Sequence, residues 1–123
     1  MFAHADRIRM DSQIEPFILP VSTLSTVGII VTEVITNTIK HGFEPGEGGR
    51  ITVSAGAKGG SATIAVQDDG KGIPESVDIE SSDSFGLTLI RALVEQLDGT
   101  LQIGRAQGGG ARFVIEFPLD GNY

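Results

Sequence analysis

Asp68-Asp69-Gly70-Lys71-Gly72 follows an apolar stretch, Ala62 to Gln67, whose side chains alternate as in a half-buried β-strand. Asp68 therefore falls at the end of a strand, where the sheet can fix its carboxylate beside a cleft. A carboxylate there can accept a hydrogen bond from an exocyclic amine, and the two glycines let the backbone approach a ligand closely. The stretch suits a nucleotide pocket, but in isolation a plain Asp-Gly turn is the commoner reason for it.

A long helix is predicted upstream, from Ser22 to His41. Pro20 and Ser22 mark its start, and Gly42 stands where a C-terminal cap is expected. Residues at helical spacing form a broad apolar stripe along it: Val27, Ile30, Val31, Val34, Ile35 and Thr38.

Four polar residues of this helix share another face, because Glu33, Asn37, Lys40 and His41 recur at i, i+4, i+7 and i+8. An amide oxygen can ligate a hard cation, a lysine can meet phosphate oxygens, and a glutamate can orient or deprotonate a nucleophile. The four residues therefore suit a Mg-nucleotide. A solvated helix face explains them equally well, so the helix alone leaves both interpretations open.

The periodicity of the remaining chain predicts five strands and a second helix. Ile8 and Met10 indicate a short first strand, and Ile14 to Leu19 an extended lead into the first helix. Two hairpins are predicted, one across Lys58-Gly59-Gly60 and one across Gly104 to Gly110. The strands lie at Ile51–Ala55, Ala62–Gln67, Leu101–Ile103 and Phe113–Phe117, and the second helix carries Leu87, Ile90, Leu93, Val94 and Leu97 and ends at Asp98-Gly99. Half-buried strands with helices between them predict an α/β fold, a two-layer sandwich whose mixed sheet is covered on one face by helices.

Four segments in sequence order resemble the motifs of the GHKL ATPases. Thr32 to Phe43 is similar to the N box, with Glu, three residues, Asn, two residues, Lys and His. The other three similarities are Asp68 to Pro74 with the G1 box, Ser84 to Ile90 with the G2 box, and Gly109 to Phe113 with the final Gly-Thr-x-Phe element. Leu89 to Leu101 further resembles the catalytic domain of sensor histidine kinases of the HisKA_2-like group.

The resemblance covers residues 5 to 118 and implies a Bergerat fold, with a mostly antiparallel sheet, in which residues 1–123 form one ATPase catalytic domain. It implies that Asp68 bonds the adenine amino group, that Asn37 ligates Mg²⁺ and that Glu33 is the catalytic, polarising residue. ATP and Mg²⁺ are the implied cofactors. The implied nucleotide-binding residues are Asn37, Lys40, His41, Asp68, Gly70, Gly72, Ile73, Gly86, Leu87 and Phe113.

Three departures from the family pattern stand out. Ser84 replaces a glycine at one hinge of the lid over the nucleotide, and the lid itself, Pro74 to Phe85, is short. Ala111 replaces a threonine whose hydroxyl commonly helps to order water beside the adenine. We expect this last change to weaken ATP binding.

Composition limits the functional classes. The 123 residues suffice for one domain with a core, and the absence of cysteine suits a reducing, cytoplasmic setting. The net charge of −7 argues against a nucleic-acid partner, so phosphate binding must be local, made by Lys40, Lys71, backbone N–H groups and a metal ion. Short apolar runs predict neither a signal peptide nor a membrane span, and we expect no membrane contact by this domain.

The resulting expectation is a histidine kinase domain that transfers the ATP γ-phosphoryl to a histidine on a separate dimerisation domain, with a response regulator downstream. An anti-sigma-factor-type serine kinase and a non-catalytic nucleotide-binding module are the alternatives. Two neighbouring features are expected to be structural: Asp69 as a solvent-facing partner of Asp68, and Gly108-Gly109-Gly110 as a hairpin turn. His4 is expected to be a solvated tail residue.

Overall fold

A computed structural model describes residues 8–43, 48–70, 87–106 and 109–119, with only the backbone of His41 and Gly42. Within these ranges the elements are β1 (Ile8–Ile14), α1 (Val21–Gly42), β2 (Gly49–Lys58), β3 (Ser61–Asp68), α2 (Leu87–Gln96), β4 (Thr100–Arg105) and β5 (Ala111–Pro118). The sheet order is β1-β2-β3-β5-β4, with β1 and β2 parallel and every other pair antiparallel. The helices contact each other and the sheet. The predicted α/β sandwich with a mixed, mostly antiparallel sheet is confirmed.

The central strand β3 shows why this sheet has one covered face. Ala62, Ile64 and Val66 alternate along it and are at most 4 % exposed, whereas on the opposite face Thr63 is exposed and the small side chain of Ala65 is buried. Ile64 pairs with Ile115 of β5, and Val66 with Phe113, so apolar side chains of both strands meet under the helices. Each such buried side chain stabilises the fold by about 1.5–3 kcal/mol.

Helix α1 begins and ends within one residue of its predicted bounds. Val27, Ile30 and Val34 are buried and bind it to the sheet. The predicted role of Gly42 as the cap is wrong, because Gly42 is the last helical residue and Phe43 takes the C-cap position with an extended backbone. The helix ends this way because the Phe43 side chain turns into the core, where it is 2 % exposed.

The expectation that the chain has no candidate membrane span needs correction. Val21–Lys40 has the length and composition to cross a membrane, with a mean hydropathy of 1.2. The sequence expectation relied on the length of uninterrupted apolar runs. Glycine and threonine interrupt these runs but lower the mean hydropathy of the helix only a little. One such helix is weak evidence for a membrane, since the core helix of a globular domain passes the same test.

Both predicted hairpins are present. Gly59 and Gly60 form the first turn with φ of +62° and +82°, values that suit the tight turn between two antiparallel strands. In the second, Gly109 and Gly110 lead into β5 with φ of +104° and +81°. The expected stop of α2 is also present, and Asp98 rather than Gly99 adopts the positive φ, +57°.

Candidate functional site

Helix α1 and strand β3 run in the same direction, which brings their C-terminal ends together. Thr23, near the start of α1, lines a groove together with Pro118, and Pro118 pairs with Ser61, the first residue of β3. At the other end a Cβ on Gly49 would collide with the Phe43 ring, so the end of α1 lies against the start of β2.

The lengths of the two elements agree with this alignment. Thr38 lies about 22 Å along the helix axis from Thr23, at 1.5 Å per residue. Asp68 lies about 24 Å along the strand from Ser61, at roughly 3.4 Å per residue. The last turns of α1 and the end of β3 therefore lie at one level of the molecule, which we call the Asp68 end.

Asp68 occupies the position where the next core residue of β3 would stand. It continues the buried alternation of Ile64 and Val66 and is 4 % exposed. Its Oδ1 accepts a hydrogen bond of 2.8 Å from the N–H of Gly70, and the carboxylate also accepts one from the N–H of Ala111. Burial raises the pKa of Asp68 above its usual 3.8; these two hydrogen bonds oppose the rise and the neighbouring Asp69 charge adds to it. A buried carboxylate with spare lone pairs is an acceptor held ready for a ligand.

Gly110 packs directly on Asp68. A Cβ there would collide with the Asp68 carbonyl and lie 3.0 Å from Oδ1, and its φ of +81° disfavours any other residue. Two hydrogen bonds of 3.1 Å close the turn: the Ala106 N–H donates to the Gly110 carbonyl, and the Gly109 N–H donates to the Ala106 carbonyl. The second hairpin turn is therefore a wall of the Asp68 end, a role that the sequence interpretation of Gly108 to Gly110 did not include.

Helix α1 supplies two further buried polar groups to the same end. Asn37 is 7 % exposed and Thr38 5 % exposed, and with Asp68 they are the three buried polar residues among those the structure describes. Asn37 thus does not lie on a solvated face. Glu33 is half-buried and Lys40 is exposed, so Asn37, Glu33 and Lys40 of the predicted face range from core to solvent.

Asp69 has a structural role. Its Oδ1 accepts a 2.7 Å hydrogen bond from the Arg50 N–H, and its own N–H donates to the Arg50 carbonyl at 3.2 Å. The Arg50 side chain in turn pairs with Asp11 at 3.2 Å. Asp69 therefore extends the pairing of β2 and β3 beyond Asp68, and its side chain is held by a hydrogen bond at the end of these two strands.

The remaining predicted site residues divide into two groups. Leu87 and Phe113 are core residues, 2 % and 4 % exposed, and Gly70 lies beside Asp68 as expected. The second group lies outside the described residues: the side chain of His41, the residues Lys71, Gly72, Ile73 and Gly86, and the predicted lid Pro74 to Phe85. So does His4.

Two polar groups at the Asp68 end were not identified from the sequence, namely the Thr38 hydroxyl and the Ala111 N–H. Thr38 was assigned to the apolar stripe, because its methyl group fits the periodicity. The Ala111 N–H carries no sequence signal of its own, although pairing Gln67 with Arg112 places Ala111 opposite Asp68.

Residues 24–121 match the family of histidine kinase-, DNA gyrase B- and HSP90-like ATPases. The chain belongs to this family. It is 32 % identical over 113 residues to blue-light-activated histidine kinase 2 of Erythrobacter litoralis, covering 91 % of this chain and 32 % of that protein. It is 36 % identical over 93 residues to the sensor histidine kinase PdtaS of Mycobacterium tuberculosis, covering 74 % of this chain and 19 % of that protein.

Solved structures agree. The blue-light-activated histidine kinase of Erythrobacter litoralis superimposes with a TM-score of 0.84 at 31 % identity, over 94 % of this chain and 36 % of that one. The catalytic domain of histidine kinase ThkA, at 17 % identity and a TM-score of 0.73, shares the fold and covers 91 % of this chain and 78 % of that domain. The prediction of an ATP-binding domain of the histidine kinase type is confirmed, and the relatives favour it over the two alternatives. The chain thus spans about a third of the length of the blue-light-activated kinase in both comparisons.

Proposed function

We propose that residues 1–123 are one catalytic domain that binds Mg-ATP and transfers its γ-phosphoryl group to a histidine on a separate dimerisation domain. The observation that carries the proposal is the buried Asp68 carboxylate, fixed by two backbone N–H groups at the end of the molecule where Asn37 is buried. Burying a charge costs free energy, and a protein keeps one in such a place where a ligand uses it.

Adenine would bind at Asp68, whose remaining lone pairs accept from the exocyclic amine. The close approach of Gly110 removes the space for any side chain between the second hairpin and this carboxylate. Leu87 and Phe113 supply apolar surface nearby in the core. The site would thus combine one directional acceptor with apolar walls, as purine recognition requires.

The phosphate side would lie toward the last turns of α1. The described residues contain no group of three or more His, Cys, Asp or Glu side chains that could hold a metal ion. Mg²⁺ is commonly bound through one or two protein ligands together with substrate phosphates, which fits the buried Asn37 amide. When bound, Mg²⁺ would neutralise phosphate charge, and Lys40, with the predicted His41, Gly72, Ile73 and Gly86, would contact the nucleotide.

Glu33 would serve the transfer itself. It lies one turn before Asn37 on the same side of α1 and is half-buried. We assign it to orienting the incoming imidazole and accepting its N–H proton as the nitrogen–phosphorus bond forms and the bond from the γ-phosphorus to ADP breaks. Positioning supplies most of the rate in such a reaction.

The proposed partners are a histidine-bearing dimerisation domain and, downstream, a response regulator, because the relatives are sensor histidine kinases of which this chain matches a part. The proposed location is the cytoplasm. The net charge of −7 supports the absence of a nucleic-acid partner. The packing of Val27, Ile30 and Val34 in the core supports the proposal that this domain makes no membrane contact.

The proposal predicts separate defects for two residues on one helix. Asn37→Ala should abolish the tightening of ADP binding by Mg²⁺, because it removes the amide ligand. Glu33→Gln should bind Mg-ADP within about twofold of wild type yet transfer phosphate to an added histidine-bearing helical domain at least about 100-fold more slowly. Calorimetry measures the first effect and radiolabelled ATP the second.

Glu95→Gln is the matched control, because Glu95 is an exposed glutamate near the far end of α2. It should change neither quantity. Wild-type transfer by Glu33→Gln would remove Glu33 from the reaction, and a wild-type protein that binds no adenine nucleotide would overturn the proposed function as a whole.

A further inference from the structure

Thr38 carries a buried hydroxyl that forms no hydrogen bond within the described part of the chain. Among the buried side-chain oxygens and nitrogens of the described residues, Thr38 Oγ1 is the one without a hydrogen-bond partner. Helical threonines commonly bond the carbonyl four residues earlier, as Thr26 of the same helix does to Ser22 at 3.1 Å. Thr38 does not, although it stands one turn beyond the buried Val34 on the same stripe.

An unpaired buried hydroxyl costs free energy that a valine of the same shape would avoid. Position 38 therefore carries a polar group where packing alone favours an apolar one. Unsatisfied buried groups in native proteins call for an explanation, and an absent ligand or water is a common one.

The location of Thr38 indicates which ligand. It lies with Asn37 and Asp68 at the Asp68 end, the three being the buried polar residues of the described chain. Position 111, next to the Asp68 carboxylate, has alanine where the family pattern places a hydroxyl. This end of the molecule thus lacks a hydroxyl on β5 and has a spare one on α1.

We propose that the Thr38 hydroxyl is an adenine-binding group, which hydrogen-bonds the base edge read by Asp68, directly or through one water, and so replaces the hydroxyl missing at Ala111. This inference rests on the proposed function, since it needs an adenine nucleotide at Asp68. A hydroxyl can donate and accept, so it can serve the base edge or a water shared with the carboxylate.

The experiment compares Thr38→Val, Thr38→Ser and wild type in calorimetric titrations with ADP and with inosine diphosphate. Thr38→Val should weaken ADP binding about tenfold, because it leaves the base edge or its water unpaired, whereas Thr38→Ser should stay within about twofold of wild type. The apo melting temperature of Thr38→Val should equal or exceed that of wild type, because the variant removes an unpaired buried group. Thr26→Val is the control and should bind ADP as wild type does.

Inosine diphosphate tests where the hydroxyl acts, because it replaces the exocyclic amine by a carbonyl. If Thr38 and Asp68 bind the same edge of the base, Thr38→Val should reduce the affinity for inosine diphosphate much less than the affinity for ADP. Equal losses with both nucleotides would overturn the assignment to the base edge. Unchanged ADP binding by Thr38→Val, with wild type binding ADP, would overturn this inference alone, whereas a wild type that binds no ADP would overturn the proposed function and this inference with it.

Discussion

Two glycine pairs reverse the chain in this domain, and they differ in what surrounds them. Gly59-Gly60 and Gly109-Gly110 all have positive φ, and both turns join antiparallel strands. Around Gly59 and Gly60 a Cβ would meet nothing within 4 Å, whereas at Gly110 it would collide with Asp68. Side-chain space therefore places no demand on the first pair, whereas in the second pair it requires a glycine at position 110, beside the candidate site.

The difference shows that backbone conformation and space are separate reasons for a glycine. Positive φ accounts for both pairs, since residues with a Cβ adopt it at a cost. Of these four glycines, Gly110 alone adds the close approach of one backbone to another, beside the buried Asp68 carboxylate. A sequence shows the glycines in both cases and gives no sign of the second reason.

An alanine placed in each turn tests most directly whether the two glycine pairs differ in this way. Gly60→Ala should lower the free energy of unfolding by about 1 kcal/mol, the cost of the left-handed backbone. Gly110→Ala should lower it by about 3 kcal/mol or more, because the strands must also separate around Asp68. Denaturant titrations of both variants measure the two losses.

Gly110→Ala should also lose ADP binding, while Gly60→Ala should keep it. Equal destabilisation of the two variants would show that space at Gly110 is unimportant. Normal ADP affinity of a folded Gly110→Ala protein would remove the second hairpin from the site.

The next comparison is between the adjacent carboxylates. Asp68→Asn should weaken ADP binding by about 1–3 kcal/mol, because an amide can present a donor where the exocyclic amine needs an acceptor. Its free energy of unfolding at pH 7 should stay within about 1 kcal/mol of wild type, since the variant also removes a buried charge. Asp69→Asn should leave ADP affinity unchanged, because the Asp69 carboxylate accepts a hydrogen bond from the Arg50 N–H where β2 and β3 end.

Calorimetry with ADP and thermal melts of the free proteins separate these effects. If Asp69→Asn lost as much affinity as Asp68→Asn, the assignment of one carboxylate to the ligand and one to the sheet would be wrong.

The smallest effect expected is a pH dependence of stability. Burial raises the pKa of Asp68 in the folded protein above 3.8, so at pH values between 3.8 and the folded pKa the native state holds a proton that the unfolded chain has lost. The stability contributed by this proton is present below pH 3.8 and is lost as the pH rises through the folded pKa. Wild type should therefore lose stability relative to Asp68→Asn across this window, by about 1.4 kcal/mol for each unit by which the pKa is raised.

Urea titrations of both proteins from pH 3.5 to 7.5 give this difference, and the other carboxylates cancel in it. A difference that is constant with pH would mean that burial does not disfavour the Asp68 charge.

Much of the fold could be predicted because its signals are local. The apolar period of α1 gave bounds within one residue, and the Gly59-Gly60 pair between two alternating stretches located the first hairpin. Asp68 could be identified as a candidate because it directly follows an alternating strand. The parallel pairing of β1 with β2 could not be predicted, because the whole of α1 separates the two strands in sequence.

The missed parts of the site depend on three-dimensional context. The methyl group of Thr38 fits an apolar period, and only the structure shows that its hydroxyl is buried without a hydrogen-bond partner among the described residues. The Ala111 N–H is a backbone group that any residue except proline offers, so its bond to Asp68 follows from strand register alone. Asn37 was a candidate from the sequence, but only the packing of the helix shows that its side chain is buried.

The register of β3 selects which of two neighbouring acids faces the helices. Successive side chains of a strand point to opposite faces, so shifting β3 by one residue would put Asp69 in place of Asp68 and turn Ile64 and Val66 away from the helices. The same hydrophobic alternation that binds the sheet to α1 therefore also chooses the carboxylate. A one-residue insertion or deletion within β3 would cost the domain both its core packing and the buried carboxylate that we propose for adenine recognition.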